Sequence, residues 1–145
     1  MSTRAVYTFV SKSKYGLKEV HVYKHHDGYP QGAIGFISNA SVLFVTEKED
    51  FKAYRDDTSF RDRLVVGFFV NNIGHGHMEL TTSWKDHGDL EYRYEIEEDK
   101  NIKIFQRDFS GQASYDENKF KLIYDAPLKD FQKSDLFKRI EMGVA

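Results

Sequence analysis

The sequence contains no cysteine, which excludes a disulfide scaffold, a cysteine-based zinc site and thiol catalysis. It has only two prolines, and no low-complexity stretch or repeat divides it. No apolar run approaches the roughly 18 residues of a transmembrane helix, and the first residues lack the layout of a signal peptide. These absences predict a cytoplasmic protein that does not contact a membrane.

Charge of one sign is not in excess either, because 21 Lys and Arg residues balance 23 Asp and Glu residues. A generic nucleic-acid binder would carry a clear basic surplus, so we expect no generic DNA binding. The charges are nevertheless unevenly spread. Residues 1–24 carry five cations against one acid, whereas residues 86–99 carry seven acids against one cation. Such asymmetry can drive self-association, so one hypothesis is a homo-oligomeric structural or regulatory module.

Apolar and aromatic side chains are plentiful. Hydrophobic residues make up 40% of the 145 residues and aromatic residues 15%. A chain of this size can bury a core of its own, so we predict that residues 1–145 form a single domain.

Strands are predicted where apolar and charged residues alternate, most clearly at Leu90, Tyr92, Tyr94 and Ile96. We expect these four side chains to share the buried face of one antiparallel strand, with Glu91, Arg93, Glu95 and Glu97 on its wet face. The other predicted strands are centred on Tyr7, Val22, Leu80, Ile104 and Leu122.

Helices are predicted between the second and third strands and at the C-terminus. The order of elements indicates an α+β fold: a mainly antiparallel sheet of about six strands, helices inserted after strand two, and a C-terminal helix. The helical patterns start at Pro30 (with Ile34, Ile37 and Phe44), span Glu47 to Arg55, start at Phe60 (ending at Asn71-Asn72), and start at Pro127 (with Leu128, Phe131, Phe137 and Ile140).

The segment from His25 to Gly32 has the strongest local pattern. Asp27-Gly28 favours a tight turn, and Pro30 suits the first position of a helix. Because a helix start presents free N–H groups, the segment suits an anionic ligand; if that ligand is a nucleotide, we expect its phosphate near Pro30 and its base stacked on Tyr29. The alternative is that the segment only turns the chain.

A metal site is a weaker hypothesis. His75 and His77 are two residues apart and could face one metal ion, with His87 following in the next turn region. Nothing in the spacing fixes a further ligand, so surface histidines are the alternative. No nucleophile or phosphate-loop motif is present.

Three stretches resemble a family of small proteins from phages and other mobile elements. They are Ser2-Thr3-Arg4-Ala5 with Tyr7 and Phe9, then Tyr23 to Gly32, and His87 to Tyr94. The family has no established activity, so the resemblance implies no catalytic residue. It implies a setting in which small proteins often inhibit host defence, by binding an effector protein or by sequestering a nucleotide signal.

The first hypothesis is therefore a non-enzymatic binding protein without a cofactor, whose partner is a host protein or a small anionic ligand such as a nucleotide. The self-associating module ranks next, and a metal-dependent phosphoesterase built on the histidines ranks last. The predicted binding residues are Arg4, Lys24, His25, His26, Asp27 and Tyr29, with Glu91, Arg93 and Glu95 as a second contact surface.

Overall fold

The computed structural model describes most of the chain, and the structural statements that follow concern that part. The helix predicted for Glu47 to Arg55 and the predicted core residue Phe44 lie outside it. Within it, no helix is long and apolar enough to cross a membrane. The described residues are 3–10, 19–39, 60–72, 74, 77–97, 101–108 and 119–141.

Six strands form one sheet. They are β1 (Ala5–Val10), β2 (Glu19–Lys24), β3 (Met78–Thr81), β4 (Tyr92–Glu97), β5 (Asn101–Arg107) and β6 (Phe120–Pro127). Their order across the sheet is β3-β2-β1-β4-β5-β6. The central pair β1 and β4 is parallel, and the other four pairs are antiparallel. The predicted α+β fold with a mainly antiparallel sheet is confirmed.

The helices pack on one face of the sheet, which we call the helix face. α1 occupies residues 30–39 of the described chain, α2 spans Phe60–Asn72 and α3 spans Asp135–Glu141. The helical tail is confirmed, but as two pieces, because a 3-10 helix (Leu128–Lys133) precedes α3. Ser134 separates them, and its Oγ accepts the Phe137 N–H at 3.1 Å, which caps α3.

The main core lies between these helices and the sheet. Because side chains alternate along a strand, Tyr7 and Phe9 of β1 point to the same face as Tyr94 of β4. The rings of Tyr7 and Tyr94 stack with their centroids 5.0 Å apart, and Phe68 of α2 covers Tyr7 at 4.8 Å. Burying side chains of this size supplies most of the free energy that holds α2 on the sheet.

The opposite face is crossed by the connection between β3 and β4, and we call it the crossover face. β3 is at the sheet edge and β4 lies beyond β2 and β1, so residues 82–91 must pass over both. We call these residues the crossover segment. Leu90 anchors the segment in a small core with Val6 and Tyr23.

Two details of the predicted strands differ in the structure. Leu90 does not share a face with Tyr94, because β4 begins only at Tyr92 and Leu90 belongs to the crossover segment. On β6, a register shift between Ile104 and Phe105 places Leu122 opposite Phe105 and Tyr124 opposite Ile104. The bulge therefore sends Leu122 and Tyr124 to different faces although they are two residues apart.

The turn between β2 and α1 is tightly packed against β1. Asp27 has a φ of 58°, which an aspartate tolerates better than most residues. Gly28 donates its N–H to the Thr3 carbonyl at 2.9 Å, and the Tyr94 hydroxyl donates to the Gly28 carbonyl. A Cβ on Gly28 would be 2.7 Å from the Ala5 Cβ, so this close approach requires glycine.

The two glycines of α1 differ in what surrounds them, which gives a matched test. A Cβ on Gly32 would be 2.5 Å from the Asp27 carbonyl oxygen, whereas a Cβ on the exposed Gly35 would meet nothing within 4 Å. We expect Gly32→Ala to lower the free energy of unfolding by about 1–3 kcal/mol through overpacking. Gly35→Ala should raise it by about 1 kcal/mol, because alanine favours helix. Urea unfolding of both variants measures these changes in the free energy of unfolding. If Gly32→Ala and Gly35→Ala change it by the same amount, the turn is not closely packed.

Candidate functional site

Residues distant in the sequence meet around Tyr23 on the crossover face. His25 follows β2 and donates its main-chain N–H to the His77 carbonyl at 3.0 Å. The crossover segment lays the His87 ring parallel to Tyr23, with 4.3 Å between centroids. We call the whole group the histidine cluster. It consists of Arg4, Tyr23, His25, His26, His77, Glu79, His87 and Asp89.

Arg4, Tyr23 and His25 form the centre of the histidine cluster. Arg4 Nε donates to His25 Nδ1 at 3.2 Å, and the Tyr23 hydroxyl lies 2.9 Å from the same nitrogen. Because an arginine nitrogen can only donate, Nδ1 accepts, and the proton of the neutral ring is on Nε2. Arg4 Nε also contacts Asp89 Oδ2 at 3.1 Å, which orients the guanidinium.

The same contacts shift the protonation of His25 and Tyr23. Burial lowers the pKa of His25, and Arg4, His26 and His77 lower it further, while Asp89 opposes them. Burial raises the pKa of Tyr23, and Asp89 adds to the rise. At neutral pH both groups are therefore uncharged, and the Tyr23 hydroxyl keeps its proton.

Three further imidazole rings lie around this centre. The His77 side chain is 58% exposed, and its Nε2 lies 3.0 Å from Glu79 Oε2. His87 Nε2 lies 2.9 Å from Thr81 Oγ1. The His26 ring is perpendicular to that of His25, with 4.7 Å between centroids. The cluster thus presents the His77 imidazole to solvent, whereas His26 and His87 are half-buried.

The histidines do not form a metal centre in the described part of the chain. There, no group of three or more His, Asp or Glu side chains is arranged to hold a metal ion. His77 and His87 both approach Tyr23, but as ring contacts at 6.2 and 4.3 Å rather than as converging nitrogen donors. His75, the third residue of the metal hypothesis, lies outside the described residues.

A second candidate site is a cleft on the helix face at the same end of the sheet. Its volume is about 220 Å³. Sites that enclose a whole drug-sized ligand measure roughly 300–1,000 Å³, so this cleft has room for one ring system with small substituents. It is lined by Tyr29, Pro30, Gln31, Tyr92, Gln106, Ile123 and Leu136.

Polar and aromatic groups are combined in this cleft. Tyr29 is 41% exposed and offers a ring that a ligand can reach. Gln106 Nε2 donates to the Tyr92 hydroxyl at 3.3 Å. Burial raises the pKa of Tyr92, with Glu91 adding to the rise, so its hydroxyl stays protonated at neutral pH. Ile123 and Leu136 supply apolar walls.

The structure divides the residues predicted for ligand binding. Arg4, His25 and His26 belong to the histidine cluster, and Tyr29 belongs to the cleft. Lys24 is fully buried on the helix face, where its Nζ lies 4.5 Å from the centroid of a phenylalanine ring. Burial lowers the pKa of Lys24, against an opposing effect of a neighbouring aspartate.

That aspartate is Asp27, which is exposed at the turn between the two faces. The predicted residues therefore do not form one site. The histidine cluster lies on the crossover face, whereas Lys24 is on the other side of the sheet.

The predicted acidic contact surface is largely neutralised by its own cation. Arg93 Nη1 donates to Glu95 Oε1 at 3.0 Å. The guanidinium carbon lies 3.7 Å from the centroid of Phe105 and 4.5 Å from that of Trp84. Its side chain is 14% exposed, so Arg93 is packed inside the protein rather than offered to a partner. Glu91 lies next to it, half-buried, with its main chain paired to Arg4 and Arg107.

Several residues of both sites carry no signal in the sequence. In the sequence, Tyr23 cannot be distinguished from any other strand tyrosine. Only the order of the strands shows that His77 and His87 contact it. Gln106, Ile123 and Leu136 reach the cleft from two strands and a helix that only the fold brings together.

No family model, curated protein or solved structure matches the chain. A function must therefore be argued from the chemistry of these two sites.

The packing of Arg93 generates a stability prediction. Removing a guanidinium stacked between aromatic rings should cost the cation–π and packing energy, so we expect Arg93→Ala to lower the free energy of unfolding by about 1–2 kcal/mol. Arg93→Lys should recover less than half of this loss, because an ammonium cannot stack as a planar group. Exposed Arg139 is the control, and Arg139→Ala should stay within about 0.5 kcal/mol of wild type. An Arg93→Ala variant as stable as wild type contradicts this role.

Proposed function

We propose that the chain is a non-enzymatic binding protein that captures a small ligand of the nucleotide class in the cleft beside α1. The observation that supports this most directly is the cleft's composition. An exposed ring, Tyr29, stands in a cavity of one-ring size beside a hydrogen-bonded pair, Tyr92 and Gln106.

A planar heterocycle fits this chemistry. Stacking of a base on an aromatic side chain contributes about 1–3 kcal/mol and is available to every base. The Gln106 amide offers both a donor and an acceptor to the edge of such a ring. Gln31, which also lines the cleft, lies in the first turn of α1, where main-chain N–H groups have no partner within the helix and can meet a phosphate.

The chemistry of the lining favours capture over turnover. The seven side chains around the cleft are tyrosine, glutamine, proline, isoleucine and leucine. None of these residue types exchanges a proton readily near neutral pH, and burial raises the pKa of Tyr92 further. A ligand held here would be bound and released unchanged.

The biological setting of this proposal comes from the resemblance to proteins of phages and other mobile elements. On that basis we propose that the ligand is a nucleotide signal of a host defence system, which the protein removes by stoichiometric binding. Direct inhibition of a host effector through the acidic strand is the less favoured route, because Glu95 and Glu97 are already paired with Arg93 and Lys103.

Calorimetric titration with the nucleoside monophosphates of the four common bases tests the proposal. We expect saturable binding of at least one of them, and Tyr29→Ala should weaken it between about 5-fold and 150-fold through lost stacking. Tyr29→Phe is the matched control, because it keeps the ring, and should bind within about threefold of wild type.

Retained affinity in Tyr29→Ala would contradict stacking in this cleft. Absence of binding by all four nucleotides, in a protein shown to be folded, would contradict the proposed function itself. Chromatography of the mixture after incubation also distinguishes capture from turnover, since capture returns the nucleotide chemically unchanged.

A further inference from the structure

We propose that the histidine cluster on the crossover face is a second binding site, which takes a phosphate-type oxyanion and binds it more tightly in mild acid. This inference goes beyond the proposed function, because the cluster is on the other face of the sheet from the cleft and shares no lining residue with it.

The donors of the site come from Arg4 and the imidazoles. The contacts that Arg4 makes with His25 and Asp89 both use Nε, and Arg4 also hydrogen-bonds the Tyr23 side chain. The two Nη atoms of the guanidinium carry four N–H donors in all. The side chain of Arg4 is 35% exposed, so these donors are within reach of a ligand. Arginine donors in this fork arrangement match the oxygens of a phosphate group.

His25 adds a donor of fixed orientation. Its Nδ1 is occupied by Arg4 and Tyr23, so the hydrogen of the neutral ring is on Nε2, the far side of the imidazole. The His26 and His77 rings lie 4.7 and 6.3 Å from the His25 ring, centroid to centroid. Two further imidazoles therefore lie next to His25, and the Arg4 guanidinium contacts the same ring.

The charges of the histidine cluster determine the pH dependence. Each element around the cluster contributes titratable or charged groups. They are Arg4 before β1; Tyr23, His25 and His26 in and after β2; His77 and Glu79 before and in β3; and His87 and Asp89 in the crossover segment. With all imidazoles neutral, one guanidinium faces two carboxylates, and an anion gains little.

Protonation of the imidazoles reverses this balance. Histidine is the side chain that changes charge between about pH 5 and 8, and each added proton supplies a positive charge. At His25 the added proton goes to Nδ1, where it replaces the hydrogen bond that Arg4 donates. An oxyanion stabilises the charged ring in return, so the pKa of His25, which burial and Arg4 hold low, should rise when the site is filled.

The same cluster suits an anion better than a metal cation. The described side chains do not converge three metal-binding donors on one point. Arg4 would also lie beside such a cation and repel it, since its Nε is 3.2 Å from His25 Nδ1.

The test uses protein that carries an NMR label at its histidines. Inorganic phosphate is titrated into this protein at about pH 6, and binding is followed through the imidazole C–H resonances. We expect saturable shifts of the His25 and His77 signals. Arg4→Gln should weaken the apparent affinity at least about tenfold, as expected for loss of a charged hydrogen-bonding group. His77→Gln changes an exposed ring and should also weaken the affinity for phosphate. This second variant serves as the test if Arg4→Gln does not fold. Arg139→Gln, remote and exposed, should bind like wild type.

Sulfate serves for the pH dependence, because it keeps both negative charges throughout the range. We expect its affinity to rise at least about threefold between about pH 7.5 and about pH 5.5, and at most about 100-fold, the limit for uptake of one proton over two pH units. Equal affinity at both pH values overturns the acid-strengthened site.

The remaining outcomes are equally decisive. Shifts that grow linearly with phosphate, or that persist in both Arg4→Gln and His77→Gln, overturn the oxyanion site. Saturation of the same signals by zinc ions but not by phosphate would assign the cluster to a metal instead. The nucleotide cleft is distinguished by Tyr29→Ala, which should leave phosphate binding unchanged whether or not nucleotides bind.

Discussion

The parallel pairing of β1 with β4 at the centre of the sheet is the constraint on which both sites depend. β1 is flanked by its hairpin partner β2, and β3 extends that side, so the chain can reach β4 only by crossing two strands. The crossing carries His87 and Asp89 over β2 and β1 and places them against Tyr23 and Arg4. The same pairing puts Tyr92 beside Ala5, at the end of the sheet where α1 begins. Without it, neither group of side chains would meet.

The turn from His25 to Gly32 contributes residues to two candidate sites on opposite faces of the sheet. Its first part stays on the crossover face, where His25 contacts Arg4 and Tyr23. At Gly28 the main chain passes close to β1 and is held by the Tyr94 hydroxyl, a donor from the central strand. It then enters α1 on the helix face, so Tyr29 lines the cleft. Gly28 and Gly32 are needed because the main chain packs so closely here. The two interpretations of the segment, as a turn and as part of a ligand site, are compatible.

How far the sequence could predict the fold is clear from β4. Alternation of apolar and charged residues predicted that strand and its two faces, and Tyr94 and Ile96 are indeed buried. Periodicity could not show that Arg93, on the charged face, would be covered by aromatic rings, because Trp84 arrives there through the crossover segment. Periodicity also could not show on which face Leu90 lies, or that β6 has a bulge opposite Ile104 and Phe105. Tertiary packing, rather than the local pattern, determines both features.

The candidate sites were predictable only in part, for a related reason. His25 and Tyr29 stand out because they flank an Asp-Gly turn and a helix start, and they belong to the two candidate sites. Lys24 has the same neighbours in the sequence, yet strand alternation sends it to the buried face. The partners that give each site its chemistry come from elsewhere: Asp89 and His77 for one, Gln106 and Leu136 for the other. Single-sequence patterns do not report such long-range pairings.

The central claim is that one end of this sheet carries two chemically distinct sites, one on each face. A map of main-chain amide shifts, recorded once with an uncharged nucleoside and once with inorganic phosphate, tests it most directly. The account predicts that the nucleoside shifts residues around Tyr29, Gln106 and Ile123, while phosphate shifts those around Arg4, His25 and His77. A single shared set of shifted residues for both probes, or shifts in neither region, would contradict it.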